Sequence, residues 1–403
     1  MSHYLGIDWS DKKHDLCLLN QEGRILSQFT ITHDMKGFQV LAATLKTLND
    51  VQINLERSDG LLVDWLSSQG WPVYVTPPIV LAHRRPRRSK DDRGDAYLLA
   101  HLLRMQDLEC RPLILHSEIV HHLKQLAQAY DGVLQEQRRL SNRLTYLLKQ
   151  YYPTAVRAFS MPNKLIALTF LERYPTPEAA EATTVKELHD FLKAQHYPGN
   201  AERKSVQLYA HLHTPMPTSR MQAGLVEHVQ VLIPLLRSLY HSRSGLDKRM
   251  LQVFDSHPEA DWWRQFPGAG PLTAARLLAW IGDNRDRFPS AQVLQAIAGT
   301  APITRRSGKQ HSVEFRSACC HPLRKAMDDL ARESLPKSGW AQAYFQEQLA
   351  AHRKPARAYR ALANRWLAII WKLWKTGEQY DEAIHLANRS RRGREPVGEQ
   401  QIA

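Results

Sequence analysis

A chain of 403 residues, 43% of them hydrophobic, has apolar material for two or three domains with their own cores, which excludes wholesale disorder. No apolar run approaches the roughly 18 to 20 residues that span a bilayer, and "MSHYLGIDWSDKKHD" lacks a signal-peptide layout, so the cytoplasm is the expected compartment. A formal net charge of +14 requires a polyanionic partner, and nucleic acid comes first.

The first 110 residues alternate strand and helix signals. "YLGID", "HDLCLLN" and "ILSQFTI" predict three strands, the last two joined by the "QEG" turn. A helix follows from Lys36 to Leu48, then a buried strand at "QINLERS". Next come a helix over "GLLVDWLSSQG", ending on Gly70, and a strand at "PVYVTP". "RRPRRSK" then offers Arg84, Arg85, Arg87 and Arg88 as nucleic-acid contacts, and a last helix begins at Asp92. The order β-β-β-α-β-α-β-α is that of an α/β RNase H-like (RuvC-like) fold, whose crossovers demand a partly parallel sheet.

A second region, 111–257, is purely helical. Ile119, Leu123, Leu126, Tyr130, Val133, Leu140, Leu144, Leu147 and Tyr151 step by four and three, with Gln137 as a polar interruption. Such a heptad seam argues for a coiled coil. A second seam runs Leu225, Val229, Leu232, Leu236, Leu239, Leu246 and Met250, broken by Arg243, with Pro234 placed to kink it. The seams could pair within one chain or between two, and the residues leave both open. Between them, residues 152–220 form a polar helical insert rich in Pro and His, with no assignable chemistry.

The third region, 258–382, opens with "FPGAGPLTAARLLAWIGD". Its Gly268-Ala269-Gly270 turn ahead of a helix resembles a helix-hairpin-helix, whose amides grip backbone phosphate. After another helix comes a loop with Arg305, Arg306, Ser307, Gly308 and Lys309 in succession. From Arg353 to Lys375 seven basic residues run without an acidic one, interleaved with Trp366, Trp371 and Trp374, which read as core. Residues 383–403 read as a basic, poorly ordered tail.

The candidate chemistry lies in carboxylates and one serine. Asp8 closes the first strand and Glu56 the fourth, and a carboxylate buried there needs a partner or a cation. Those strands are neighbours in an RNase H-like sheet, and Asp92 and Asp95, at i and i+3, share one face of the helix beside them. Taken singly, Asp92 and Asp95 read as helix-start carboxylates that satisfy orphan N–H groups. Four converging carboxylates, however, repel one another unless a hard cation such as Mg²⁺ or Mn²⁺ binds them. A metal pair stabilises the attacking and leaving oxygens of a phosphodiester. Asp11 and Asp91 are neighbours outside this set. Ser307 sits among Arg305, Arg306 and Lys309, cations able to bind a phosphate and stabilise its pentavalent transition state. A Ser-Gly is otherwise an ordinary turn, and Ser290, Ser312 and Ser317 are the alternative nucleophiles. With four cysteines (Cys17, Cys110, Cys319, Cys320) and no metal spacing, neither disulfides nor a zinc site are expected.

"LGIDWS", "LERSDG" and "KDDRGDA", then the heptad region, "FPGAGPLTAARLLAWIGD" and "SGK", resemble in this order the DEDD transposases of the IS110 insertion-sequence family. The resemblance covers nearly the whole chain, excepting about the last 20 residues. It implies a RuvC-like catalytic domain over 1–110 and a separate, mainly helical transposase domain. It implies Asp8, Glu56, Asp92 and Asp95 as an acidic tetrad for Mg²⁺ (or Mn²⁺), and Ser307 as the nucleophile that attaches covalently to DNA. It further implies donor and target DNA as substrates and guidance by a structured bridge RNA from the element's own ends. Together with the seams it implies a homo-oligomer, a dimer or a tetramer, at the bacterial nucleoid. Asp91, directly before Asp92, leaves the third ligand less secure. A metal-dependent Holliday-junction nuclease and a non-catalytic nucleic-acid-binding protein are the competing readings. A trapped covalent protein–DNA product separates the transposase from the nuclease, and metal-dependent strand cleavage excludes the binding protein.

Overall fold

The computed structural model describes residues 2–85, 91–107, 110–159, 161, 163–217, 221–307, 310–351 and 354–390, with 304–307, 310–311 and 389–390 described through their backbone alone. The chain divides into two units, Met1–Leu115 and His116–Ala403.

In the first unit the order is β1 (His3–Trp9), β2 (Lys13–Leu19), β3 (Ile25–Thr32), α1 (Met35–Lys46), β4 (Val51–Leu55), α2 (Leu61–Ser68), β5 (Val73–Val75), α3 (Pro78–Arg84), α4 (Asp92–Arg104) and β6 (Arg111–Pro112). The sheet order is β3-β2-β1-β4-β5-β6. β1, β2 and β3 are antiparallel, β4 and β5 run parallel to β1, and β6 closes the edge antiparallel to β5. This mixed α/β sheet is consistent with the RuvC-like expectation. Short α3 and β6 were not anticipated.

Alternation along β2 assigns the faces. Leu16 and Leu18 pack with α1 and α2 through Phe38, Leu41, Leu62 and Leu66, whereas Cys17 and Leu19 pack with Ala96 and Ala100 of α4. Two contacts then fix α4 in place. A Cβ on Gly6 of β1 would lie 2.0 Å from the Ala96 carbonyl oxygen and 2.5 Å from the Ala100 nitrogen, so only glycine admits the helix this close. Fully buried Asn54 of β4 donates through Nδ2 to the Leu99 carbonyl at 2.8 Å and to Thr76 Oγ1 at 2.9 Å, tying α4 and the end of β5 to β4.

The second unit begins with α5 (Glu118–Tyr151), followed by the insert helices α6 (Pro153–Ala158), α7 (Leu165–Arg173), α8 (Pro177–Glu181), α9 (Val185–Ala194) and α10 (Ala201–Leu212). α11 (Gln222–Asp255) returns along α5, and α12 (Ala260–Arg264), α13 (Pro271–Ile281) and α14 (Ala291–Ile297) follow. After β7 (Ile303–Ser307) and β8 (Gln310–Glu314) come α15 (His321–Ser334), α16 (Gly339–Ala350), α17 (Pro355–Thr376) and α18 (Glu382–Ser390).

The two heptad seams meet within the chain. Val120, Leu123 and Tyr130 share a core with Leu246, Met250 and Phe254, while Leu144, Leu147 and Tyr151 share one with Val229, Leu232 and Leu236, so α5 and α11 are antiparallel. Pro234 sits inside α11 without ending it. The buried stripe is wider than an a/d seam: Val120, Ala127, Ser141 and Leu148 join it, because the insert packs on one end of the pair and the C-terminal helices on the other. Far from a polar appendage, the insert brings Phe170, Leu188, Phe191 and Leu208 into that shared core.

Trp366 and Trp374 are fully buried, as expected of core, and Trp371 donates its indole N–H to the Phe288 carbonyl at 2.9 Å. The expected loop around Ser307 is instead an antiparallel pair of strands, β7 and β8, with Ser307 opposite Gln310. "ITRRS" and "QHSVE" on either side of "GK" carry a strand-turn-strand pattern that the run of charges obscures. Gly268 takes a left-handed φ of +87°, and a Cβ there would lie 2.5 Å from the Ser334 nitrogen. Packing on α15 thus accounts for that glycine, while Gly270 N-caps α13. The expected tail is helical as far as Ser390, in α18, and 391–403 lie outside the described residues.

Candidate active site

Asp8 is the penultimate residue of β1 and 6% exposed. In the parallel register of β1 and β4, Ile7 pairs with Leu55, so Asp8 and Glu56 stand at the next step, where both strands end. The Gly6 contact brings the first turns of α4 over the same strand end, with Asp95 2% exposed just before Ala96. Asp91 has a structural task as N-cap of α4, accepting the Gly94 N–H at 3.1 Å. Asp92 is exposed and makes no hydrogen bond or ion pair among the described residues.

Among the described residues, Arg85 brings a cation to these carboxylates. Just past α3, it donates Nε to Asp95 Oδ1 at 2.6 Å and Nη2 to Asp95 Oδ2 at 2.5 Å, a two-pronged pair with both oxygens of one carboxylate. The hydrogen bond to Asp95 raises the Arg85 pKa above its ordinary value, burial opposes the rise, and the charges of Asp95, Asp8 and Glu56 add to it. Of the four predicted ligands, Asp95 therefore holds the guanidinium directly, while Asp8 and Glu56 act on it through their charge. Sequence reasoning had placed Arg84 and Arg85 on nucleic acid; here Arg84 pairs with Asp107 at 2.8 Å and Arg85 with Asp95. Arg87 and Arg88 lie outside the described residues.

Among the described residues, no three Asp, Glu, His or Cys side chains stand close enough to hold one ion. Repulsion among carboxylates favours their separation, and Arg85 has taken both oxygens of Asp95. The donor set nonetheless fits a hard divalent cation. It is all carboxylate oxygen, the donor type such an ion takes, with Asp8 and Asp95 buried at the strand end.

Ser307 ends β7, but its side chain and those of Arg305 and Arg306 lie outside the described residues, as do Gly308 and Lys309 altogether. Of the alternative serines, Ser290 N-caps α14, and the Ser312 hydroxyl donates to Glu314 Oε1 at 3.3 Å. Burial pushes the thiols of Cys17, Cys110, Cys319 and Cys320 upward, away from nucleophilic thiolate.

Sequence reasoning missed the pairing of Arg85 with Asp95 and the parts of Gly6 and Asn54. Arg85 is ten residues from Asp95, and no helical spacing links them. Gly6 and Asn54 had a visible signal, a residue without a side chain and a polar amide inside apolar strands, which mark close approach and a needed partner.

Residues 5–153 match a DEDD transposase family model of IS110 type described as "Transposase", and residues 262–346 match "Transposase IS116/IS110/IS902 family". These spans contain all four carboxylates and Ser307. The chain is 31% identical over 402 residues to the "Mini-circle putative transposase for IS117" of Streptomyces coelicolor, covering 94% of this chain and 95% of that protein. It is 24% identical over 384 residues to the "Insertion element IS116 uncharacterized 44.8 kDa protein" of Streptomyces clavuligerus, with 92% and 94% covered. To the "Insertion element IS110 uncharacterized 43.6 kDa protein" of Streptomyces coelicolor it is 25% identical over 310 residues, 75% of each chain.

Proposed function

Because the chain belongs to the IS110 family of transposases, we propose that it is the recombinase of an insertion sequence, cutting and rejoining DNA through a covalent serine–DNA ester under the guidance of a bridge RNA. The observation that carries the reading is that Asp8 and Glu56 stand side by side where β1 and β4 end, with Asp95 of α4, paired to Arg85, brought over the same strand end. Asp8, Glu56, Asp92 and Asp95 would hold Mg²⁺ or Mn²⁺, which when bound supplies Lewis acidity to phosphate oxygens.

The serine's part is a transesterification. The Ser307 oxygen forms a bond to phosphorus and gives up its proton, while the bond from phosphorus to the departing sugar oxygen breaks and that oxygen is protonated. In rejoining, a sugar hydroxyl displaces the serine from phosphorus, so the energy of the cut bond is kept rather than lost to water. The net charge of +14 suits DNA and RNA held together, and guidance by RNA predicts one discrete transcript among the nucleic acid that copurifies.

The test is a denaturing gel of the full chain with end-labelled element DNA and Mg²⁺. The reading expects a protein-linked DNA band that disappears in Ser307→Ala, and loss of all cutting in Asp92→Asn. Cutting without a linked band, unaffected by Ser307→Ala, would remove the serine and leave a water-using nuclease.

A further inference from the structure

A cavity of about 530 Å³ opens where β8 meets the outer face of α17, lined among others by Phe315, Arg316, Tyr344, Arg357, Arg360 and Asn364. Among the described residues, three guanidinium groups thus share one recess with a single acid, Glu314. Arg316 is in use, since its Nε donates to the Ala301 carbonyl at 3.4 Å. Arg357 is exposed, and neither it nor Arg360 makes a side-chain hydrogen bond or ion pair among the described residues. Arg360 instead lies over the Phe315 ring at 4.0 Å from its centroid, with Arg324 over the same ring at 4.3 Å. Phe315 is itself 48% exposed.

A half-buried guanidinium with five N–H donors and no acceptor is costly. Burial lowers the Arg360 pKa, Asp328 opposes that fall from a distance, and Arg324 and Arg357 deepen it. The cation–π stack recovers part of the cost, on the order of 1 kcal/mol at an exposed site. It leaves the fork of N–H groups unmatched. An anion with two oxygens in one plane matches that fork, and a second arginine alongside suits a phosphodiester bridging both. Around it, the planar Arg360 guanidinium backed by Phe315, and the Tyr344 ring, provide flat surface for an unpaired base, the combination of basic recess and aromatic side chains that takes single strands.

We propose that this recess is a seat for a single nucleic-acid strand, with a phosphodiester on Arg357 and Arg360 and a neighbouring base against the Arg360–Phe315 stack. It goes beyond the recombinase reading and uses neither Ser307 nor the carboxylates, so the two can fail separately.

The experiment titrates a fluorescein-labelled oligothymidylate of about 12 nucleotides into the full chain, read by anisotropy. Arg357→Gln with Arg360→Met is expected to weaken binding at least about tenfold and, with two phosphate contacts gone, to make the salt slope shallower by about 1.4. The thermal midpoint should stay level or rise, because Arg360→Met removes an unmatched charge. Arg357→Lys with Arg360→Lys should keep most of the salt slope while losing affinity, as a fork gives way to a point charge. Oligouridylate in parallel identifies the occupant: loss on either strand supports the seat, and equal loss on both assigns it to the shared backbone. Unchanged affinity for both strands would overturn the proposal, as would a fall in stability with binding intact. A loss as large on a duplex as on single strands would also overturn it.

Discussion

Arg85 and a divalent cation would compete for the same two oxygens of Asp95. Both answer one requirement, that carboxylates at a buried strand end have positive charge beside them, and they exclude each other sterically. Removing the guanidinium therefore does two opposite things. Without metal, Arg85→Gln leaves Asp95 buried and unpaired and should cost about 3 kcal/mol of stability. With metal, the competitor is gone, and calorimetric Mn²⁺ affinity should rise about tenfold. Mn²⁺ should then restore the lost thermal midpoint progressively, with the logarithm of its concentration once that exceeds Kd. An affinity equal to or weaker than wild type would mean that Arg85 leaves the carboxylates by another route, or helps to hold the ion. The positions of Asp8 and Glu56 were legible in the sequence, because acids at strand ends contradict the local apolar pattern, and that of Asp95 because it opens an apolar-periodic helix. Arg85 was not, since an arginine in a basic run is accounted for by any anion, and only the packing of α3 beside α4 brings it to Asp95.

Elements were legible wherever period and burial agree. Strands β1 to β5 alternate or run apolar between turn residues, and α1, α2 and α4 each carry one apolar face, so their bounds came within a few residues of the observed ones. β7 and β8 were hidden because their residues are charged and polar, and strand pairing there rests on backbone hydrogen bonds. The seams of α5 and α11 were legible as seams but not as partners, since period says which face is buried and never against what. Leu144, fully buried against α11 and the insert, should cost about 3 kcal/mol on Leu144→Ala and leave the mass by light scattering unchanged. A halved mass would show that the seam also serves a second chain.

β2 carries a further consequence. His14 Nε2 lies 2.8 Å from His33 Nδ1, with Asp15 next along the strand. Burial and then His33 lower the His14 pKa from 6.5 to about 4, against Asp15. A folded pKa below the unfolded one means the unfolded chain binds the extra proton first. Stability is therefore full above about pH 6.5 and lost as pH falls towards about 4, by up to about 3 kcal/mol. Urea midpoints should show this slope in wild type and a flatter one in His14→Phe. Equal slopes would assign the acid sensitivity to carboxylates alone.

For the whole molecule, the carboxylates belong to Met1–Leu115 and Ser307 to His116–Ala403, so each chain brings both sets on separate units. A nuclease that hydrolyses with water needs only the carboxylates, and an essential serine about 200 residues further on would be surplus to it. The serine–ester route proposed above uses both, and an assembly of several chains is free to draw them from different protomers. Mixing separates the cases. Ser307→Ala and Asp8→Ala protomers should each be inactive in cutting and joining. Combined before DNA is added, they should recover part of wild-type activity, because some complexes then hold an intact carboxylate set on one chain and an intact serine on the other. Random pairing of the two variants caps the recovery at a fraction of wild type, so a partial but reproducible signal that scales with the mixing ratio is the expected outcome. Two inactive variants whose mixture also stays inactive, while light scattering shows that they assemble, would keep the serine as nucleophile and require its carboxylates on the same chain. A Ser307→Ala protomer that cuts and joins by itself would end the serine mechanism.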